Sequence, residues 1–128
     1  MKSILLVMAG GCLGAVCRFG LSWAAAAVYN GRFPLGTLAA NLIGCFFIGA
    51  AFAMADRTPF FGPSARLFFM TGFVGALTTF STYALESIQA FRGGDPLTAG
   101  MNILASNVFG FASVLAGMWV VKRLLANG

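Results

Sequence analysis

The chain has 128 residues, of which 59% are hydrophobic and 9% charged, and its formal net charge is +5. Soluble domains carry about a quarter charged residues, so this composition excludes an ordinary soluble domain and predicts an all-α membrane protein. Histidine is absent and only three acidic residues occur. A histidine metal site, a Ser-His-Asp triad and a carboxylate metal cluster are therefore excluded, and we predict that the chain is not an enzyme.

The basic residues are scattered along the chain, and their longest run is Lys122-Arg123. This distribution is typical of charges that flank membrane spans, and it argues against a nucleic-acid partner. Cys12, Cys17 and Cys45 all lie in apolar stretches. We interpret them as small buried hydrophobic residues and assign them no disulfide or metal.

A spanning helix needs about 20 consecutive apolar residues. The stretches poor in charge predict a single four-helix transmembrane domain over residues 1–128, with spans at 3–29, 35–55, 65–91 and 96–123. Between them lie turn signals rich in Gly, Pro, Asn and Asp, and such short connections make consecutive helices antiparallel.

The first span combines a packing signal with a charge. Gly10 and Gly14 are four residues apart, a spacing that lets two helix backbones approach closely in lipid. Arg18 lies inside the same span. It either attracts anions toward a vestibule or has a structural role, by snorkelling or pairing.

The second span repeats the small-residue spacing at Gly36, Ala40 and Gly44. Asn41, one turn after Thr37, places an amide donor near the start of this helix. From the sequence, an amide that lines a pathway and an amide that makes an interhelical hydrogen bond are equally consistent with this position.

The third span is the least ordinary, because glycines and hydroxyl residues occupy its middle. Gly75 lies near the midpoint between Arg66 and Glu86, so the sequence predicts a third helix broken near the bilayer midplane. Carbonyls freed there would favour a hard cation. Phe80 and Tyr83 are three residues apart and share a helical face, for which core packing is the alternative explanation.

In the fourth span, small and polar residues form one helical stripe. The spacing predicts a water- or ion-lined face, although hydroxyl side chains can also return their hydrogen bonds to their own helix. The stripe consists of Thr98, Asn102, Ser106, Gly110, Ser113 and Gly117.

Three segments together resemble one known family, the Fluc-type (CrcB) fluoride channels. They are Gly75-Ala76-Leu77-Thr78-Thr79-Phe80-Ser81-Thr82-Tyr83 followed by Glu86, Gly36-Thr37-Leu38-Ala39-Ala40-Asn41, and Gly10-Gly11-Cys12-Leu13-Gly14 leading to Arg18-Phe19. The resemblance covers essentially the whole chain in order. It implies an antiparallel, dual-topology homodimer with two fluoride pores and a structural sodium ion at the dimer interface.

The resemblance also implies roles for individual residues. The backbone carbonyls of Gly75 and Thr78 would hold the sodium ion, with two from each chain. The fluoride pore would be lined by Asn41, Phe80 and Tyr83 and by a hydroxyl track of Ser81, Thr82 and Ser106. Members of the family commonly have phenylalanine at the position of Tyr83. Arg18 and Glu86 are expected to be vestibule or structural residues.

The composition and the polar residues within the spans predict a membrane transport protein. The resemblance implies that it is a passive, highly selective fluoride channel in the cell (inner) membrane that relieves fluoride toxicity. The main alternative is a small multidrug-type, proton-coupled exporter, which would ordinarily need an acidic residue in the first span, where this chain has Arg18. The loop charges lean toward cytoplasmic termini by a small margin, and this permits insertion in both orientations.

Overall fold

The computed structural model describes residues 1–58 and 61–126, and all regular structure in these two ranges is helical. Four helices are long and apolar enough to cross a membrane, namely Lys2–Val28, Leu35–Arg57, Pro63–Arg92 and Pro96–Ala126. Their ends lie within a few residues of the predicted ones. The predicted all-α membrane protein with four spans is therefore confirmed.

The first, second and fourth spans are single helices, α1 (Lys2–Val28), α2 (Leu35–Arg57) and α6 (Pro96–Ala126). The third span is composite. It consists of α3 (Pro63–Arg66), a π-helical segment (Leu67–Val74), α4 (Gly75–Leu77) and, after two non-helical residues, α5 (Phe80–Arg92).

The two residues between α4 and α5 have extended backbones. Thr78 has φ −84° and ψ 155°, and Thr79 has φ −151° and ψ 109°. The sequence placed the unwinding at Gly75, and this is wrong in position, because Gly75 has the helical angles φ −61° and ψ −33°. The helix ends instead where Asn41 of α2 takes over the backbone hydrogen bonds of Thr79, so an amide rather than a glycine fixes the position of the break.

Small residues bring α2 and α6 together. A Cβ atom at Gly49 would overlap the carbonyl oxygen of Val114, and one at Gly117 would overlap the carbonyl oxygen of Phe46. Both glycines are buried. The backbones of the two helices are therefore in direct contact, and van der Waals packing holds them together in lipid, where the hydrophobic effect between helices is lost.

A second seam joins α1 to the composite third span. Cβ atoms at Gly10 and Gly14 would overlap the carbonyl oxygens of Phe68 and Phe73, respectively. The glycine pair of the first span is thus a packing seam against the π-helical segment. These contacts set the position of the π-helical segment, and hence of the break that follows it, along the axis of α1.

Most of the stripe on α6 packs against α5 and α2, so the prediction of a water- or ion-lined face along its whole length is wrong. Asn102 is 1% exposed and donates to the hydroxyl of Ser87 on α5 at 2.9 Å. Gly110 and Gly117 are buried, and Gly117 lies directly against the backbone of α2. Ser106 is the member of the stripe that borders the central cavity described below.

Asp95 begins α6 at the loop end of the bundle. Its carboxylate accepts the backbone N–H of Thr98 at 3.0 Å and the Thr98 hydroxyl at 2.9 Å. These hydrogen bonds lower the pKa of Asp95 below its ordinary value, and the nearby Arg32, at 3.9 Å, adds a smaller effect in the same direction. The pair joins the α1–α2 loop to the start of α6.

We expect Gly49→Ala to destabilise the bundle by about 1–3 kcal/mol, because its methyl group would force the backbones of α2 and α6 apart. Gly100→Ala is the matched control, since a Cβ atom there has no neighbour within 4 Å. Unfolding in detergent by titration with sodium dodecyl sulfate measures both variants. Equal stability of Gly49→Ala and wild type would contradict the close approach of these helices.

Candidate functional site

The side chain of Asn41 on α2 pairs with the backbone of Thr79 in two directions. The Thr79 N–H donates to Asn41 Oδ1 at 2.7 Å, and Asn41 Nδ2 donates to the Thr79 carbonyl at 3.3 Å. A broken helix inside a membrane leaves backbone groups that must find protein partners. Asn41 supplies two of these partners, and among the described residues the second N–H of its amide has no acceptor, so it is called free below.

Thr79 also begins α5 with its side chain. Its hydroxyl accepts the backbone N–H of Thr82 at 3.3 Å, which is the usual N-cap contact, and donates to the Thr82 hydroxyl at 2.9 Å. The Ser81 hydroxyl lies 3.3 Å from the same Thr79 oxygen. The threonine and serine hydroxyls at the break therefore form one local network.

The break changes the backbone hydrogen bonding at Gly75 and Thr78. In an unbroken helix the Thr79 N–H would donate to the Gly75 carbonyl, but here it donates to Asn41. Thr78 has an extended backbone, and its N–H and hydroxyl both donate to the Val74 carbonyl at 3.1 Å. The Gly75 carbonyl is thus released from its helical donor next to a residue that turns out of the helix.

A cavity of about 390 Å³ lies beside the break and is called the central cavity below. It brings together six of the residues that the sequence assigned to a site. They are Asn41, Gly75, Thr78, Phe80, Tyr83 and Ser106. The amide, the two aromatic rings, a hydroxyl and the broken backbone therefore border one space.

The two aromatic rings of the site lie close together at the start of α5. The ring centroids of Phe80 and Tyr83 are 5.4 Å apart, with planes inclined by 58°. Phe80 is 79% exposed in the single chain. The Tyr83 hydroxyl accepts a hydrogen bond from Asn107 Nδ2 of α6 at 3.2 Å. One ring is thus tethered to α6, and the other faces outward from the chain.

Arg18 lies in a separate cavity of about 250 Å³, the Arg18 cavity, which is also lined by Ser22, Thr37, Thr79 and Thr82. In the part of the chain that the structure describes, its guanidinium makes no ion pair, and Arg32–Asp95 is the ion pair present. Thr79 borders both the central cavity and the Arg18 cavity, so the two spaces have this residue in common.

Glu86 lies toward the end of the bundle that carries the α1–α2 and α5–α6 loops. Its Oε1 accepts the Thr37 hydroxyl at 2.7 Å, and its buried Oε2 has no hydrogen-bond partner among the described residues. Thr37 and Ser22 border both the Arg18 cavity and a cavity of about 240 Å³ at Glu86. Glu86 in turn borders an outer cavity of about 520 Å³ beside Arg32 and Asp95.

Neighbouring cavities therefore share lining residues from the break to the loop end. Thr79 borders the central cavity and the Arg18 cavity, Thr37 borders the Arg18 cavity and the cavity at Glu86, and Glu86 borders that cavity and the outer one. Neutral donors border the inner part of this row, and charged side chains border the outer part. Such an order suits a small anion, since donors replace its water and charge acts near the entrance.

The predicted residues divide between these spaces. Thr82 lies in the Arg18 cavity rather than in the central one, and Ser81 is exposed and borders none of the cavities described here. Arg18 and Glu86 share Thr37 as a neighbour without contacting one another.

Two residues of the site were missed by reasoning from the sequence. Thr79 was read as part of the hydroxyl motif but not as the partner of Asn41, although a threonine just before an amphipathic helix is an N-cap signal. Asn107 borders the central cavity but lies outside the polar stripe. An amide within a membrane span was the signal available for it.

Comparison with known proteins shows which family the chain resembles. Residues 5–118 match the model of the family described as "CrcB-like protein, Camphor Resistance (CrcB)". A relative from Salinibacter ruber, named "Fluoride-specific ion channel FluC", is 45% identical over 99% of this chain and 95% of its own length. Proteins of the same name from Maridesulfovibrio salexigens, 36% identical over 99% of this chain and 100% of their own length, and from Leptospira interrogans, 38% identical over 95% and 96%, also match.

We expect Asn41→Ala to expose the Thr79 amide, because it removes both hydrogen bonds that replace the helical ones at the break. Losing a hydrogen bond of about 1 kcal/mol corresponds to an amide exchange rate about five- to tenfold faster. Hydrogen exchange of peptides covering residues 77–82 measures this change. Asn107→Ala, which removes an amide from the same cavity, should leave the Thr79 amide protected. Unchanged exchange in Asn41→Ala would contradict the capping role.

Proposed function

This chain belongs to the CrcB-like family, and on that premise we propose that it conducts fluoride through the central cavity and the row of cavities leading from it. It is a fluoride channel and not an enzyme, and it is a multi-pass protein of the cell membrane. The observation that carries the assignment of the pathway is the Asn41 amide, fixed at the helix break with one N–H free, beside two aromatic rings and a serine.

Fluoride is small and strongly hydrated, so a pathway must replace its water with other donors. The central cavity offers the free N–H of Asn41 and the positive ring edges of Phe80 and Tyr83. The Ser106 hydroxyl also borders it, and it would have to give up its long hydrogen bond to Asn102 Oδ1, at 3.4 Å, to donate to the ion. None of these groups carries a full charge. Neutral donors bind the ion strongly enough for entry and weakly enough for release, which a fixed cation in the same place would prevent.

Charged groups act further out on the proposed path. Arg18, which has no acidic partner among the described residues, raises the local concentration of anions beside Thr82 and Thr37. Thr37 is shared with Glu86, whose carboxylate it contacts. The Thr37 hydroxyl donates to Oε1 of Glu86, and this acid borders the outer cavities of the row. Passive flow through such a path lets fluoride that accumulates in the cell leave it.

A second copy of the chain would complete the pathway. The broken backbone, the free Asn41 N–H and the mostly exposed Phe80 ring border a cavity that is open in the single chain. Polar backbone of this kind does not face lipid in membrane proteins, so protein must cover it. We assign that cover to an antiparallel partner, whose insertion in the opposite orientation the weak charge bias permits.

The residues at the break fit a sodium ion at the interface of such a dimer. Backbone carbonyls are the ligands that sodium takes from unwound helices, and the Gly75 carbonyl is released from its helical donor by the Asn41–Thr79 pair. The carbonyl of Thr78 follows on the extended backbone. Two carbonyls from each copy would hold the ion, which would fix the two breaks against each other and add a positive field near the anion path.

The proton-coupled multidrug exporter has no support. The relatives reported above are named as fluoride-specific channels. The span α1 contains Arg18 and no acidic residue. Of the two carboxylates inside the bounds of a span, Asp56 lies one residue from the end of α2, and Glu86 belongs to α5 and accepts a hydrogen bond from Thr37.

Liposomes that contain the purified protein should lose fluoride rapidly and retain chloride when potassium is shunted by an ionophore and sodium is present. Asn41→Asp should reduce fluoride efflux by about a hundredfold, because it removes the free amide donor and places a carboxylate in the cavity. Asn30→Ala, an amide deletion in the exposed α1–α2 loop, is the control and should conduct as wild type. Wild-type protein that is folded but releases no fluoride would contradict the proposed function.

Gly75→Val tests the proposed dimer surface. In the single chain a Cβ atom at Gly75 has one neighbour within 4 Å, the Met70 carbonyl at the ordinary distance of 3.7 Å. The variant should therefore fold as a chain but lose about tenfold or more of its dimer affinity, because the added side chain occupies the partner and ion surface.

Single-molecule photobleaching in liposomes measures the dimer fraction, with Gly100→Val as the control at an open helical glycine. Replacement of sodium by potassium should lower the wild-type dimer fraction in the same assay. A Gly75→Val protein that dimerises and conducts as wild type would overturn the assignment of this surface.

A further inference from the structure

The hydroxyl of Tyr83 is held in place at the central cavity by Asn107. Asn107 Nδ2 donates to the Tyr83 oxygen at 3.2 Å and to the carbonyl of Ile103 on its own helix at 2.8 Å. The second bond fixes the amide against α6. Asn107 therefore presents its donor to the phenol from a defined position, and both residues border the central cavity.

This arrangement leaves the phenol proton as a donor. The Tyr83 oxygen accepts from Asn107 and, over residues 1–58 and 61–126, donates to no protein atom. A phenol O–H lies close to the ring plane, so an N–H on one side of the oxygen directs the hydroxyl proton to the other side. Because Asn107 has spent its N–H groups on Tyr83 and Ile103, it has none left to offer an anion itself.

From this geometry we propose that the Tyr83 hydroxyl is an additional anion-binding donor of the pathway and that Asn107 is its positioning residue. The inference rests on the proposed function, since it gives the anion in the central cavity a further ligand. A ring edge alone offers weakly polarised C–H groups, whereas an O–H group makes a charge-assisted hydrogen bond to an anion. The ring of Tyr83 lies beside that of Phe80, at 5.4 Å between centroids, so the hydroxyl adds a strong donor next to two weak ones.

Two substitutions separate the effect of the Tyr83 hydroxyl from the effect of the amide that orients it. Tyr83→Phe keeps the ring and its packing against Phe80 and removes only the hydroxyl. Asn107→Ala keeps the hydroxyl and removes the group that orients it. If Asn107 acts through Tyr83, its deletion has an effect only while the hydroxyl is present.

The experiment is a double-mutant cycle on the fluoride concentration that gives half-maximal current in planar bilayers. We expect Tyr83→Phe to raise this concentration about tenfold and Asn107→Ala to raise it about threefold. In the Tyr83→Phe background, Asn107→Ala should cause no further change. The dimer fraction by photobleaching should match wild type in all three variants, and Asn30→Ala serves as the matched amide deletion outside the cavities.

Wild-type current establishes conduction independently, so a failure of the inference and a failure of the proposed function are distinguishable. An unchanged half-maximal concentration in Tyr83→Phe would overturn the role of the hydroxyl. An Asn107→Ala effect of the same size in both backgrounds would show that Asn107 does not act through Tyr83, and this result would overturn the positioning role.

Discussion

A break in a membrane-spanning helix must have its backbone hydrogen bonds satisfied by protein, and here one amide side chain meets that constraint. Asn41 accepts a hydrogen bond from the N–H of Thr79 and donates one to the Thr79 carbonyl. The backbone can therefore leave the helical conformation at Thr78 while the polar groups of Thr79 keep hydrogen-bond partners. The same pairing frees the Gly75 carbonyl, starts α5 at a capped threonine and leaves one amide N–H at the cavity. The proposed sodium site, the second half of the span and the proposed first anion donor all depend on it.

The distribution of charge suits the proposed anion path. The central cavity is lined by a few uncharged donors among apolar side chains such as Ile48, Met70 and Val74, while Arg18 and Glu86 border the other cavities, which Thr37 also borders. A cation among the inner donors would trap the ion, and a carboxylate there would exclude it. Glycine seams between α1 and the π-helical segment and between α2 and α6 let these helices approach closely around the cavity, because a side chain at those positions would overlap the neighbouring backbone.

Much of this could be predicted from the sequence, because its clearest signals are long apolar stretches and glycines spaced four apart. The position of the break could not be predicted, since a glycine is permissive of irregular backbone but does not require it, and the residue that ends the helix lies on another span. Likewise the stripe on α6 has the right period for a wet face, but periodicity does not show what faces it. Asn102 meets Ser87 and Gly117 meets the backbone of α2, and both contacts need the tertiary structure to be seen.

If fluoride passes through the channel without coupling to another ion, the fluoride gradient alone sets the reversal potential of the current in a planar bilayer. Under a tenfold fluoride gradient, with chloride and proton gradients imposed in the opposite direction, we expect the current to reverse within a few millivolts of the fluoride equilibrium potential, about 59 mV from zero. A reversal potential that moves with the proton gradient or with the chloride gradient would contradict it.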